Sequence, residues 1–193
     1  MEEIKKIKAL LEEDRPVSWD NMPDIDLYMD QIISYLPRQS IGGRPPVITP
    51  AMVNNYVKDG RLPRASGKRY HREHLAYLTV IGLLKNVLTV KDMKVLLENQ
   101  FPAGTEKEYY GKFLEQIDEA YTGVTGALDE DLSEDELAET ALVFALASCA
   151  SKAACEHLIS VIRMREQEDE QKAKKDAPKK GKPEKKPLEE SES

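Results

Sequence analysis

The sequence predicts an all-α protein with one short β wing inserted between two helices. Apolar residues recur every three or four positions through most of the chain, which is the spacing of amphipathic helices. Capping residues and Pro or Gly breakers divide these stretches into separate helices. Between two of them, a short Gly-containing segment is rich in Arg and Lys. These three observations predict a series of helices with one basic, wing-like excursion.

The composition excludes several classes of protein. The chain has 193 residues, of which 40% are hydrophobic and 33% charged, so it can bury a core. Its first residues lack the apolar region of a signal peptide, and no uninterrupted apolar run approaches the roughly 18 residues of a membrane span. Two cysteines are too few for a disulfide framework or a four-cysteine zinc site. We expect a cytoplasmic protein with no membrane contact.

Charge is strongly segregated along the chain. The net charge is −7, yet residues 38–94 carry 11 basic and 3 acidic side chains. The flanking residues 1–37 and 95–165 are acidic, with 9 and 14 carboxylates respectively. A compact basic block inside an acidic protein predicts a patch that binds a polyanion.

Cap and stop signals give the order of the first helices. An amphipathic helix lies near the N-terminus, with Ile4 and Leu11 on its apolar face. Asp24 or Asp26 is expected to cap a second helix that ends at Leu36, and the Gly- and Pro-rich residues 37–48 form a loop.

The basic block is organised around one short helix. Thr49 supplies a cap oxygen, Pro50 suits the first helical position, and Gly60 ends the helix. Residues 61–70 form the wing, and a longer apolar helix then runs from His71 to about Leu88.

Three further helices follow the basic block. They begin near Thr89, Thr105 and Ser133, each of which starts a capping-box pattern. The last helix is rich in Ala, Leu and Val, and we expect it to lie centrally in the fold. From Gln167 the chain is almost entirely charged or Pro, which predicts a disordered tail.

The basic block resembles a MerR-like winged helix-turn-helix. The matching stretches are Tyr56-Val57-Lys58-Asp59-Gly60-Arg61-Leu62-Pro63 and Arg69-Tyr70-His71-Arg72-Glu73-His74-Leu75. More narrowly, residues 25–97 resemble an uncharacterised bacterial family, domain of unknown function 1836. The resemblance implies DNA binding by the 50–59 helix and the wing. The 37–48 loop is longer than the usual turn of this motif, and the long dimerising coiled coil that typically follows it is not evident.

The residue types in the block suit DNA recognition. Asn54 and Asn55 can bond bidentately to adenine in the major groove. The side chains expected to contact phosphates or the minor groove are Tyr56, Lys58, Arg61, Arg64, Lys68, Arg69 and Arg72. Each residue type also has a structural alternative: Tyr56 as a core aromatic, the asparagines as an exposed helix face, and the cations as a solvated loop.

Enzyme and metal chemistry find little support. His71 and His74 share a helix face but lack further ligands nearby, so we expect no metal and no cofactor. Cys149 and Cys155 are expected to be small buried hydrophobes. No catalytic or nucleotide-binding motif is present, so we expect no enzymatic activity.

The sequence therefore predicts four parts: an N-terminal helix and linker (1–23), a winged DNA-binding domain (24–100), a helical dimerisation or sensor domain (104–166) and a charged tail (167–193). The predicted function is transcriptional regulation by a homodimer on double-stranded DNA, with an unknown small-molecule or protein effector. The alternative is an adaptor whose basic patch binds an acidic protein surface.

Overall fold

The computed structural model describes residues 2–100 and 104–176, with side chains through residue 172. Within those ranges the backbone is helical apart from loops, two 3₁₀ turns and isolated β-bridges, so the all-α prediction is confirmed. The helices are α1 (Glu2–Glu13), α2 (Met29–Tyr35), α3 (Pro50–Lys58), α4 (Arg72–Leu84), α5 (Val90–Gln100), α6 (Glu106–Gly126) and α7 (Glu134–Asp176).

Helix α4 lies at the centre of the fold. Every residue from His74 to Gly82 is buried, because apolar side chains occupy all faces of the helix. Gly82 brings the backbone so close to the 37–48 loop that a Cβ there would lie 2.5 Å from the Cβ of Pro46. Around α4 the core is completed by buried side chains from α2, the 3₁₀ turn after it, α3, α5 and α6, including Ile32, Leu36, Val53, Met93, Leu97 and Tyr110.

Helix α6 packs on α1 and α4 and shares this core. Tyr110 is fully buried, and its hydroxyl donates a hydrogen bond to the Val17 carbonyl at 3.0 Å. Burial raises the pKa of Tyr110 well above its usual value. The helix continues to Gly126 instead of ending near Tyr121, although Gly123 lies in its interior.

The start of α2 differs from the sequence-based expectation. The helix begins after Tyr28, whose N–H donates to Gln31 Oε1 at 2.8 Å, and neither Asp24 nor Asp26 caps it. Both aspartates instead form ion pairs with basic residues near the start of α4. The two carboxylates that the local sequence assigns to a helix cap are therefore bound by residues far away in the sequence.

The expectation that the last helix is central is wrong. In the described part of α7 only Ile159 is buried, and Leu142, Val143 and Leu146 are 58–61% exposed. The C-terminal half of α7 packs on α5, where Arg163 Nη2 lies 2.7 Å from Asp92 Oδ1. The N-terminal half extends away from this contact with its apolar residues uncovered.

Helix α7 also extends beyond the predicted start of the tail. Residues 167–176 are helical, because Glu, Gln, Lys and Ala favour helix and this segment contains no Pro, the next one being Pro178. The remaining predicted tail, 177–193, lies outside the described residues. By length and composition alone, Glu134–Lys172 contains one window apolar enough to cross a membrane, although no uninterrupted apolar run of that length exists.

Candidate nucleic-acid interface

Helix α3 presents a polar face to solvent. Its N-terminus is fixed by the Thr49 hydroxyl, which accepts from the Met52 N–H at 3.3 Å, as the sequence predicts. Val53 is fully buried, whereas Asn54, Asn55 and Lys58 are exposed. Spacing of one, three and four residues places these three side chains on one side of the helix. One side of the helix therefore packs against the protein, and the other exposes two amide groups and one ammonium group to solvent.

Tyr56 does not belong to that exposed face. It is 6% exposed and packs in the core, which favours its structural alternative over the predicted phosphate contact. Burial raises the pKa of the phenol, with an opposing effect from the nearby Arg61. The tyrosine holds α3 against the body of the protein.

Arg61 is also buried, which disfavours its predicted phosphate contact. The residue is 4% exposed, its guanidinium binds the Asp59 carboxylate, and its Cζ lies 4.6 Å from the centre of the Tyr56 ring. Gly60, with φ of 73°, reverses the chain after α3, and the Arg61 N–H donates to the Tyr56 carbonyl at 2.8 Å. The reversal folds the Arg61 side chain back onto α3, where it stacks on Tyr56.

The wing (residues 61–70) is a tight loop held by two backbone bridges. At its tip, Ser66 and Arg69 exchange hydrogen bonds of 2.9 and 3.1 Å around Gly67 and Lys68. Both central residues have positive φ, 56° and 68°, which is the pattern of a type I′ turn. At its base, Tyr70 and Leu27 exchange two bonds of 2.8 Å. Lys68 consequently stands exposed at the tip of a pinned turn.

Two of the predicted wing cations are held by carboxylates of the α1–α2 connection. Arg72 is half-buried, pairs with Asp24 at 3.1 Å and donates to the Met22 carbonyl at 3.3 Å, which leaves it less available for the predicted phosphate contact. Arg69 is more exposed, although its Nη1 lies 3.6 Å from Asp26 Oδ2. Arg72 serves mainly to attach α4, and Arg69 retains only part of its charge for a ligand.

The histidines at the start of α4 cap the helix. The His71 N–H donates to His74 Nδ1 at 2.9 Å, and His71 Nδ1 lies 2.5 Å from Asp26 Oδ1. His74 is 2% exposed, and burial lowers the pKa of its imidazole. Across residues 2–100 and 104–176, no three His, Cys, Asp or Glu side chains gather where a metal ion could bind.

A cleft joins the polar face of α3 to the wing. It has a volume of about 550 Å³, and both Lys58 and Arg64 line it. Tyr77 of α4 and Leu97 of α5 form part of its wall, and Glu98 stands at the α5 side. Along the part of the chain that the structure describes, Lys58, Arg64 and Lys68 are the predicted cations with no carboxylate within salt-bridge distance.

One family model matches this chain. It is the Domain of unknown function (DUF1836), and the match covers residues 17–124. The chain belongs to the DUF1836 family. Neither a curated protein nor a solved structure matches it.

The DUF1836 match includes every element of the site. It begins within the α1–α2 connection, before Asp24 and Asp26, and it ends within α6. Helix α7 lies entirely outside the match. The interface and its supporting carboxylates thus belong to the DUF1836 unit, and α7 is an addition to it.

Residues that sequence reasoning missed are mostly the supporting ones. Asp24, Asp26 and Asp59 decide which cations are free, and Gly60 decides where Arg61 points. Only Asp59 gave a local signal, since it lies two residues from Arg61. Asp24 and Asp26 lie more than 40 residues before their partners.

Proposed function

We propose that this protein binds double-stranded DNA and regulates transcription, using a MerR-like winged helix-turn-helix made of α2, α3 and the wing. The observation that carries the proposal is the cleft in which Lys58 of α3 and Arg64 of the wing lie together. A helix with exposed amides and an adjoining cationic loop form one continuous surface. The chain would act in the cytoplasm, where it can reach bacterial DNA.

The proposed division of labour follows from exposure and charge. Helix α3 is nine residues long, about 13 Å at 1.5 Å per residue, and a helix with side chains is about 10–12 Å in diameter, which fits a major groove about 12 Å wide. Asn54 and Asn55 face outward on it and can pair with adenine edges. Lys58, Arg64 and Lys68 contact phosphates and fix the register of the helix.

The order of elements also supports the winged assignment. The backbone pair of Leu27 with Tyr70 ties the base of the wing to the chain two residues before α2. In sequence, α3 lies between α2 and the wing, and Gly60 turns the chain from α3 into the wing. This arrangement holds α3 and the wing in a fixed relation, as a two-point contact with a duplex requires.

A second candidate is an adaptor that binds an acidic protein surface. It is favoured by Glu98, which shares the cleft with Lys58 and Arg64. The Glu98 carboxylate would repel a ligand that offers only phosphate groups to the cleft. A peptide that carries both acidic and donor groups would satisfy such a mixed cleft. DNA would have to approach from the side of the wing tip.

Fluorescence anisotropy with a labelled random duplex tests the proposal. We expect binding at low salt that weakens steeply as salt rises, and the unlabelled duplex should compete far better than polyglutamate of equal charge. Equal competition by polyglutamate would favour the adaptor. Absence of duplex binding at low salt would overturn the DNA-binding proposal.

A further inference from the structure

The outward side of α7 carries a continuous apolar seam. At spacings of three or four residues it contains Val143, Leu146, Ala150, Ala153, His157, Val161 and Met164, all exposed. Leu142 and Leu158 flank the seam and are 58% and 66% exposed. From residue 142 to 164 the apolar surface extends about 33 Å. The opposite side of the same helix carries Ile159, which is 1% exposed and packs against Leu88 and Val95.

This seam has the pattern of a helix that pairs with another helix. A stripe repeating every three to four residues is the geometry of a two-helix contact, and an uncovered stripe of this length is unusual on a monomer. We propose that a second copy of this chain covers the seam, with the two α7 helices antiparallel about a two-fold axis between Ala153 and Ala154.

Side-chain sizes fit this pairing. About such an axis, Val143 lies opposite Met164, and Leu146 lies opposite Val161. His157 lies opposite Ala150, so the largest ring of the seam meets one of its smallest side chains. Ala153 and Ala154 meet at the axis and let the two backbones approach closely. Each contact occurs twice, as an isologous interface requires.

Charge distribution selects the antiparallel orientation. The first turns of α7 are acidic (Glu134, Asp135 and Glu136), and Lys172 lies near the described C-terminal end. A parallel pair would place Asp135 beside Asp135, and Arg165 beside Arg165. An antiparallel pair brings Asp135 near Lys172 of the other copy, and it also opposes the helix dipoles.

The apolar surface of α7 suits a second helix better than a lipid bilayer. Lys152 and Glu156 lie in the middle of the apolar segment, with their charged atoms 3.8 Å apart. The C-terminal half of the segment is attached to α5 through Arg163 and Asp92. Insertion of the segment would bury the first pair in hydrocarbon and detach the second.

Sedimentation equilibrium of the full chain, without DNA, tests the pairing. We expect the wild type to be a dimer and Leu146→Glu to weaken dimerisation by about 100-fold or more. Ala145→Glu is the matched control, because Ala145 is exposed beside the seam and lies outside it. Circular dichroism confirms that each variant remains folded. A monomeric wild type, equal weakening by both variants, or flotation of the chain with anionic lipid vesicles would each overturn the proposal.

Disulfide trapping tests the orientation. Cys149 and Cys155 are first replaced by Ser, since Cys149 is exposed. In that background Ala153→Cys should crosslink readily, whereas Leu146→Cys should not, because its two copies lie about 22 Å apart in the antiparallel pair. Crosslinking by Leu146→Cys in place of Ala153→Cys would contradict the antiparallel arrangement. The assay contains no DNA, so its outcome is independent of the proposed function.

Discussion

Replacing Arg64 and Lys68 by Ala should remove most of the salt dependence of DNA binding. The sequence offers seven candidate phosphate contacts, but Tyr56 and Arg61 are buried and Arg72 is held by Asp24. Arg69 is partly neutralised by Asp26, which leaves Lys58, Arg64 and Lys68.

The expected magnitude follows from that count. With a slope of about −0.9 per phosphate contact, three contacts give about −2.7 per monomer, and the double variant about −0.9. Between 50 and 200 mM salt the wild type should lose about 40-fold in affinity and the variant about 3-fold. Dimerisation doubles both slopes and leaves their three-to-one ratio unchanged.

The assay is fluorescence anisotropy of a labelled random duplex at five salt concentrations. Lys5→Ala with Lys6→Ala is the matched control, because it removes the same charge from α1, on an element that packs against α6. The control should keep the wild-type slope. A double variant with the wild-type slope, or a control that flattens it equally, would refute the assignment of phosphate contacts to the wing.

Three predictions concern stability, each read from urea unfolding. Gly82→Ala should destabilise the protein by about 1–3 kcal/mol, because its Cβ would lie 2.5 Å from the Cβ of Pro46, whereas Gly123→Ala should stabilise by about 0.5–1 kcal/mol in open helix; equal effects would contradict the packing of α4. Tyr110→Phe should cost about 1–2 kcal/mol through its lost hydrogen bond to the Val17 carbonyl, and an unchanged midpoint would show that this bond contributes nothing. A hydrogen bond from the Thr89 hydroxyl and the positive charge of Arg163 lower the pKa of Asp92. Asp92→Asn should therefore cost less than about 1 kcal/mol above pH 4, and the difference in stability between variant and wild type should vanish as pH falls through the lowered pKa. A cost that grows on acidification would contradict that sign.

Local signals in the sequence were sufficient to place α3 and the wing. Thr49, Pro50 and Gly60 act on their immediate neighbours, so cap, start and stop could be read directly. Helical periodicity also predicts the outward face of α3, because it separates Asn54 and Asn55 from the buried Val53.

The charge balance of the site depended on contacts that sequence spacing does not reveal. Asp24 and Asp26 read as helix caps, yet they neutralise arginines brought close only when the wing folds against the α1–α2 connection. Counting basic residues therefore overestimated the free positive charge. The internal partners of Arg69 and Arg72 become visible only in three dimensions.

The position of α7 was mispredicted for a related reason. The centre of α7, residues 138–154, is rich in apolar and small residues, as is α4, which is buried. Composition shows that a helix needs an apolar partner, but it does not show whether that partner lies in the same chain. For α7 only the side carrying Ile159 finds one within the described residues.

Recognition of specific base pairs by α3 is the central claim, and selection from a random duplex library tests it most directly. The wild type should enrich a defined motif, and Asn54→Ala or Asn55→Ala should lose preference at one adenine position, by about 1–3 kcal/mol, while other positions persist. A wild type that enriches no motif, or two variants that select the wild-type motif unchanged, would contradict the claim.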